Sequence, residues 1–388
     1  MSTDAQRSSF FVALVIVDVM AGFADAMSGP YLVLYLVEKV GLSPLLLSVI
    51  LTVRALSSIA CGSAFGAWID KKVSVIPLII ALAGAAIGYS LLAFTTNFTA
   101  LILIAGGPVA VGAAAFSQSV ALVKSTFARS SLHTANRALG VMRASWSLAW
   151  AIGPAVGAAL VAAFGFPGVF LTSGASAAIA LIALALVRAR PDSRDGGVAV
   201  PVVPPNGGPK IALAFGSLAL FHTALFLGTI PLAIVITTTL GGAQRDVGFA
   251  FSLCAAIEIV VMGALIWRPL RHGERNAIII GFAAFIVYFV VLALARSVAP
   301  VLWAQSLRAV AIGLVTYLGI SYLQSLLPHR AGAAAALFSN AAQVGSVVAA
   351  LSAGLLAQEF GYASIFVACA ILSVAGLALI CFIPSEPR

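Results

Sequence analysis

The chain has 388 residues, of which 62% are hydrophobic and only 9% charged, and its formal net charge is +9. Soluble globular proteins carry about 25% charged residues, so this composition excludes a soluble enzyme. It also excludes a disordered chain, which combines low hydrophobicity with high charge. The basic residues stand in short clusters between apolar runs, a distribution that indicates membrane topology and not a nucleic-acid surface. We therefore expect the protein to fold in a lipid bilayer.

Twelve apolar runs along the chain are long enough to cross a bilayer, which takes about 20 residues. In chain order their predicted limits are 10–38, 43–68, 74–94, 98–124, 136–164, 167–188, 210–238, 245–268, 275–295, 299–325, 330–357 and 361–383. The first run is too long for the apolar core of a signal peptide and contains Asp18 and Asp25, so we expect it to be retained as a span. These runs predict an all-α integral membrane protein with twelve transmembrane helices.

Lysine and arginine accumulate on one side of these spans. Fifteen basic residues fall on the side of the two termini, and three, Lys39, Arg245 and Arg296, fall on the other side. Cytoplasmic loops are enriched in lysine and arginine. We therefore expect a multi-pass protein of the bacterial inner membrane with both termini in the cytoplasm.

A polar stretch rich in glycine and proline separates the first six spans from the last six. We predict an N-terminal six-helix bundle over residues 1–188, a cytoplasmic linker over 189–209 and a C-terminal six-helix bundle over 210–388. Landmarks recur between the bundles, since Pro30 in span 1 is matched by Pro231 in span 7. Such repetition predicts two pseudo-symmetric halves.

Two short motifs lie in spans 2 and 5. Their residues are Gly66, Asp70 and Lys71, and Gly153, Pro154 and Gly157. In the first motif, the glycine allows close helix packing and the aspartate interacts with positive charge near a helix end. In the second, the small residues are predicted to let helix 5 pack tightly against the other half.

The twelve spans in two halves, together with these motifs, resemble the major facilitator superfamily. The stretches 141–144, 147–150, 257–258 and 330–334 are similar to the bacterial sugar efflux transporter family. This resemblance implies an alternating-access secondary transporter that exports sugars or sugar-like glycosides by proton antiport. An alternative is a proton-coupled drug or amphipathic-compound exporter, which the motif in span 5 and a largely apolar cavity favour.

Six ionisable residues lie inside the predicted spans: Asp18, Asp25, Arg54, Arg143, Glu258 and Arg308. Such groups are costly in a membrane and tend to be paired or to line a polar cavity. Their depths along the helix axes suggest three pairs, which are Asp25 with Arg54, Asp18 with Arg143, and Glu258 with Arg308. One alternative is that these are ion pairs that only fasten helices. The other is a proton-coupling network, with Glu258 and Asp25 as the first candidates for the exchanged proton.

A polyol substrate needs amide and hydroxyl partners and aromatic faces. The predicted substrate-binding residues are Gln118, Trp146, Trp150, His222, Tyr317, Asn340 and Gln343. The four cysteines stand singly in apolar runs, and the sequence has no nucleotide-binding or catalytic motif. We therefore expect no enzyme activity, no metal and no cofactor. The expected partners of this monomer are a small sugar-like molecule, protons and the lipid bilayer.

Overall fold

The computed structural model describes residues 3–128, 130–186, 208–268, 273–327 and 330–383, and the side chains of 3–6, 70, 132, 133, 136 and 331 lie outside this description. All regular elements in these ranges are helices. They are α1 Thr3–Leu34, α2 Pro44–Lys71, α3 Ile76–Leu92, α4 Phe98–Thr126, α5 and α6 within Leu132–Leu186, α7 Pro209–Ile234, α8 Gln244–Trp267, α9 Glu274–Leu294, α10 Val298–Leu326, α11 Ala331–Phe360 and α12 Ser364–Cys381.

The run Leu132–Leu186 is two helices joined at a sharp bend. Gly165 has φ +68° inside it, a left-handed conformation that glycine adopts without steric cost. We therefore take 132–164 as α5 and 166–186 as α6. The other long apolar helices span at least 18 residues, and α3 has 17, which is at the short end of the range for a membrane crossing. The predicted fold class, with twelve transmembrane helices, is confirmed.

The helices group into two compact units. One comprises Met1–Gly41 and Val49–Ala199, and the other comprises Leu42–Ser48 and Val200–Arg388. Most of the predicted linker lies outside the described residues, which leave out 187–207. The bounds of the predicted domains therefore stay a prediction.

The two halves repeat their local structure. α1 ends in a π-helical turn, Tyr35–Lys39, and the first helix of the second half, α7, ends in another, Val235–Thr239. Each turn is followed by a glycine with positive φ, 76° at Gly41 and 65° at Gly241. The same uncommon features at the end of the first helix in both halves indicate that the halves are structural repeats.

Each half is built around its first helix. In the N-terminal half α1 lies along α5 and α6, and α3 packs against α6. In the C-terminal half α7 packs against α11 and α12, while α10 packs against α8 and α9. Large apolar side chains such as Leu103, Val260 and Ile371 remain exposed. An exposed apolar surface of this kind suits a protein whose surroundings are lipid.

Candidate functional site

A polar cluster joins the first three helices of the N-terminal half. Arg54 Nη2 lies 3.8 Å from Asp25 Oδ1, and these two side chains are 24% and 28% exposed. The hydroxyl of Tyr89 donates a hydrogen bond to the same Oδ1 at 3.2 Å. The predicted pairing of Asp25 with Arg54 is therefore confirmed, with Tyr89 as a third member.

An interruption in α4 lies beside this cluster. The segment Ala105–Val109 forms a π-helical turn with Pro108 inside it. A Cβ atom on Gly106 would come within 2.5 Å of Val53, the neighbour of Arg54, and one on Gly88, the neighbour of Tyr89, would meet the backbone of Val109 at 2.7 Å. Contacts this close set the turn against α2 and α3 at the level of the cluster.

The predicted pair of Asp18 with Arg143 is wrong. The Asp18 side chain is fully buried, and neither carboxylate oxygen has a hydrogen-bond partner. Arg143 is exposed on α5. The two residues share a depth along their helices, but depth does not specify which way a side chain points.

The register between α1 and α5 explains this outcome. Gly22 on α1 packs against Ala149 on α5. The two helices run parallel, so the residues one turn earlier, Asp18 on α1 and Ser145 on α5, also lie opposite each other. Arg143 precedes Ser145 by two positions, which rotates a side chain by about 200° around a helix. Arg143 therefore points away from the interface that contains Asp18.

A second charged cluster lies in the C-terminal half. Arg308 on α10 is 7% exposed, and its Nη2 donates to Thr229 Oγ1 at 2.7 Å. Its guanidinium lies 5.3 Å from the ring centroid of Phe251, within the range of a cation–π interaction. Glu258 lies on α8, one turn after Cys254. The pairing of Glu258 with Arg308 stays a prediction.

The Gly-Pro-Gly motif of span 5 packs within its own half. A Cβ on Gly157 would lie 2.6 Å from Tyr31, and one on Gly153 would lie 2.6 Å from Ala26. The Tyr31 hydroxyl donates to the carbonyl of Pro154 at 2.8 Å. The tight packing that the sequence predicts is therefore present, but these contacts are with α1 of the same half. Packing of these residues against the other half stays a prediction.

The motif at the end of span 2 has a different environment from the one that its sequence suggests. Gly66 has no atom within 4 Å of the position of a Cβ, so it does not provide close helix packing in this structure. Lys71 is the exposed last residue of α2. Asp70 lies on the same helix, and its side chain is outside the described part.

Three of the predicted substrate-binding residues lie in the N-terminal half. Gln118 is buried, its Nε2 donates to Ser117 Oγ at 3.3 Å, and its Oε1 has no partner. Trp146 and Trp150 are partly buried and face α1, where they fill the space beside its glycines. This packing leaves only part of each indole open to a ligand, and their role stays a prediction.

The other four predicted residues lie in the C-terminal half. His222 is buried, with Nδ1 2.8 Å from the carbonyl of Leu218, and its ring meets Phe338 edge-on. Tyr317 is partly exposed on α10. On α11 Asn340 is exposed, and Gln343 donates to the hydroxyl of the preceding turn. His222 thus has the environment of a packing residue, whereas Asn340 and Gln343 keep free polar groups.

Three polar side chains around the charged groups are absent from the predicted set: Tyr89, Thr229 and Gln305. Gln305 is fully buried on α10, one turn before Arg308, and its Oε1 has no partner. A signal for the tyrosine exists in the repeat, because Tyr89 on α3 and Tyr288 on α9 stand at corresponding places in the third helix of each half. An alignment of the two halves pairs these two tyrosines.

The described residues form no metal site. No three of their His, Cys, Asp or Glu side chains come together in a way that could hold a metal ion. The cysteines in the same ranges are free thiols.

Comparison with known proteins extends over the whole chain. The family model described as Major Facilitator Superfamily matches residues 14–228 and 213–388. A Deinococcus radiodurans protein whose name assigns it to the sugar efflux transporters is 32% identical, over 97% of this chain and 98% of its own length. Sugar efflux transporter A of Escherichia coli is 28% identical, over 98% and 97%. The crystal structure of the nucleoside transporter NupG, 13% identical, covers 97% of this chain and 100% of its own with a TM-score of 0.80, which shows a shared fold.

Proposed function

The chain belongs to the major facilitator superfamily and, within it, to the sugar efflux transporter family, and on this basis we propose that it exports sugars or sugar-like glycosides by proton antiport. The observation that carries the substrate class is the similarity to named sugar efflux transporters along 97% of the chain. A match of this extent covers both halves of the chain, whereas a shared motif would cover only a short segment. The transport mechanism is alternating access, with both termini in the cytoplasm.

Asp18 supports the coupling to protons. Its carboxyl group has 0% exposure and no hydrogen-bond partner. A charged carboxylate without a counter-charge or donor is very costly inside a membrane protein, so Asp18 is neutral in this conformation and carries a proton. If the other conformation exposes Asp18 to water, the proton is released there, and the transport cycle moves it across the membrane.

Asp25 and Glu258 have surroundings that differ from those of Asp18. Asp25 has a counter-charge beside it, the Arg54 guanidinium. For Glu258 the predicted counter-charge is Arg308. The described residues give Asp18 no counter-charge. Of the three acids, Asp18 is therefore the first candidate for the exchanged proton, and Glu258 is the second.

Transport in proteoliposomes with an imposed pH gradient tests this function. We expect the wild-type protein to accumulate a labelled disaccharide against its gradient, and not a cationic drug. Saturable drug flux without sugar flux would contradict the sugar substrate and support the drug exporter. Sugar flux that ignores the pH gradient would contradict proton antiport.

Two variants locate the coupling acid in the same assay. Asp18→Asn keeps the neutral form, so we expect it to lose accumulation driven by the pH gradient while it still exchanges sugar across the membrane without a gradient. Glu258→Gln serves as the parallel variant. Loss of coupling in Glu258→Gln with normal coupling in Asp18→Asn would assign the proton to Glu258.

A further inference from the structure

The cluster of Asp25, Arg54 and Tyr89 has hydrogen-bonding capacity that its own contacts do not use. The Asp25 contacts with Arg54 and Tyr89 both involve Oδ1, so Oδ2 can accept from a further donor. At 3.8 Å the ion pair is longer than the roughly 2.7–2.9 Å of a direct charge-assisted hydrogen bond. A guanidinium has five N–H donors, and this long contact leaves most of them available.

The cluster is also accessible and has no net charge. About a quarter of each of the two charged side chains is exposed, in contrast to the 7% of Arg308. The negative charge of Asp25 and the positive charge of Arg54 cancel, so the cluster gives no net preference to anions or cations. What it offers is an acceptor and a donor side by side, which suits a neutral molecule whose adjacent groups both donate and accept hydrogen bonds.

The interrupted helix α4 adds backbone groups to this site. Its π-helical turn, Ala105–Val109, lies against Val53 and against the backbone next to Tyr89. Gly107, inside the turn, has no atom within 4 Å of the position of a Cβ, so a ligand can approach the main chain there. Irregular backbone in a membrane helix is tolerated where it lines a cavity.

From this arrangement we propose that Asp25, Arg54, Tyr89 and the α4 turn form a site in the N-terminal half that binds neighbouring hydroxyl groups of a sugar ring. The Asp25 carboxylate accepts from one hydroxyl, and Arg54 donates to the next. Tyr89 holds the carboxylate in place, and the α4 turn accepts from the ring. This site rests on the proposed export of sugars and names the groups that recognise the substrate.

Sugar binding to the purified full-length protein in lipid nanodiscs tests the site. The probes are lactose and a set of lactose analogues that each lack one hydroxyl. The wild-type protein is expected to bind lactose and to discriminate against at least one deoxy analogue, because a polar group of the site loses its partner when the ligand hydroxyl is missing. Arg54→Lys keeps the positive charge but not the fork of donors. We expect it to bind lactose about tenfold more weakly and to lose the discrimination, with an unchanged melting temperature.

Tyr89→Phe is the second variant, and Tyr288→Phe, at the equivalent position of the other half, is its matched control. We expect weaker lactose binding in Tyr89→Phe and wild-type binding in Tyr288→Phe. A merely structural role of the cluster would lower the melting temperature without changing discrimination among the analogues, and this result would overturn the proposal. Wild-type affinity and discrimination in both Arg54→Lys and Tyr89→Phe would also overturn it, while sugar export would stand. Absence of any sugar binding by the wild-type protein would overturn both.

Discussion

The two halves repeat the same six helices but hold their charged groups in different ways. In the N-terminal half Asp25 and Arg54 approach to only 3.8 Å, with 28% and 24% of their side chains exposed. In the C-terminal half Arg308 is 7% exposed and is held by Thr229 and by the ring of Phe251. Both clusters keep polar atoms without a partner among the described residues, since Arg308 Nη1 has none, so the difference is one of exposure. A partly exposed pair can be reached by a solute, whereas an enclosed cation suits the joining of helices. The same fold can therefore divide recognition and structural roles between its repeats.

The fourth helices of the two halves, α4 and α10, differ in the regularity of their backbone. α4 is interrupted by the π-helical turn Ala105–Val109, whereas α10 is regular through the equivalent positions, where it carries Gln305 and Arg308. At these positions α4 therefore presents backbone groups, whereas α10 presents polar side chains. The π-helical turn of α4 packs closely against α3, and glycines of α3 leave room for it.

The largest expected effect tests the packing that both halves share. Gly157→Val would drive a side chain into Tyr31 and the carbonyl of Met27, at 2.6 and 2.8 Å from the Cβ position. We expect a loss of about 3 kcal/mol of stability, measured as a lower melting temperature of the purified protein. Gly345→Val, which meets His222 on α7 at 2.7 Å, should give a similar loss in the other half.

Gly140→Val is the control for this experiment, because Gly140 lies on the same helix as Gly157. No atom of another element lies within 4 Å of the position of its Cβ among the described residues. Its effect on stability should stay within about 1 kcal/mol, the size of a helix-propensity difference. Equal melting temperatures for Gly157→Val and Gly140→Val would refute the packing role of the motif.

An effect of intermediate size distinguishes the two charged clusters by the stability that each arginine contributes. Arg308→Ala removes an enclosed cation with its hydrogen bond and its ring contact, so we expect it to cost about 3 kcal/mol. Arg54→Ala removes a partly exposed partner and should cost about 1 kcal/mol, while sugar binding falls. Thermal unfolding of both variants, with binding measured in parallel, checks this difference. An Arg54→Ala variant that is as unstable as Arg308→Ala would remove the distinction between the halves.

The smallest effect concerns the two equivalent tyrosines. Tyr89→Phe deletes a hydrogen bond to a carboxylate and should cost about 1 kcal/mol. The hydrogen bond of Tyr288 is to the neutral amide of Gln305, and a bond to a neutral group is weaker than one to a carboxylate, so Tyr288→Phe should cost less. Melting temperatures of the two variants rank these costs. The reverse order would show that the enclosed cluster depends on its tyrosine more than the open one does.

Helix depth was enough to predict one charged pair and failed for another. Asp25 and Arg54 share a level and also face each other, whereas Asp18 and Arg143 share a level and do not. Counting residues from a helix end gives the height of a side chain in the bilayer. The direction in which the side chain points depends on how the helix is rotated against its neighbours, and for α1 and α5 the small residues at their interface set that rotation.

The glycine motifs illustrate the same limit. The sequence predicts tight packing at Gly153 and Gly157, and the structure places both glycines against α1 of their own half. Gly66 has the same sequence signature of a packing glycine and yet faces open space. A glycine in a sequence shows where a close approach is permitted, and only the neighbouring helix determines whether one occurs.

The sequence by itself determined that the protein lies in a membrane, that twelve helices cross it, and that they form two repeated sets of six. These properties follow from local hydropathy, because each apolar segment must satisfy its backbone hydrogen bonds within itself in lipid. The tertiary structure alone decided that Asp18 is isolated, that Tyr89 joins Asp25 and Arg54, and that the α4 turn lies beside them. Those contacts depend on helix rotation and packing, in which residues far apart in the chain take part and which no local pattern encodes.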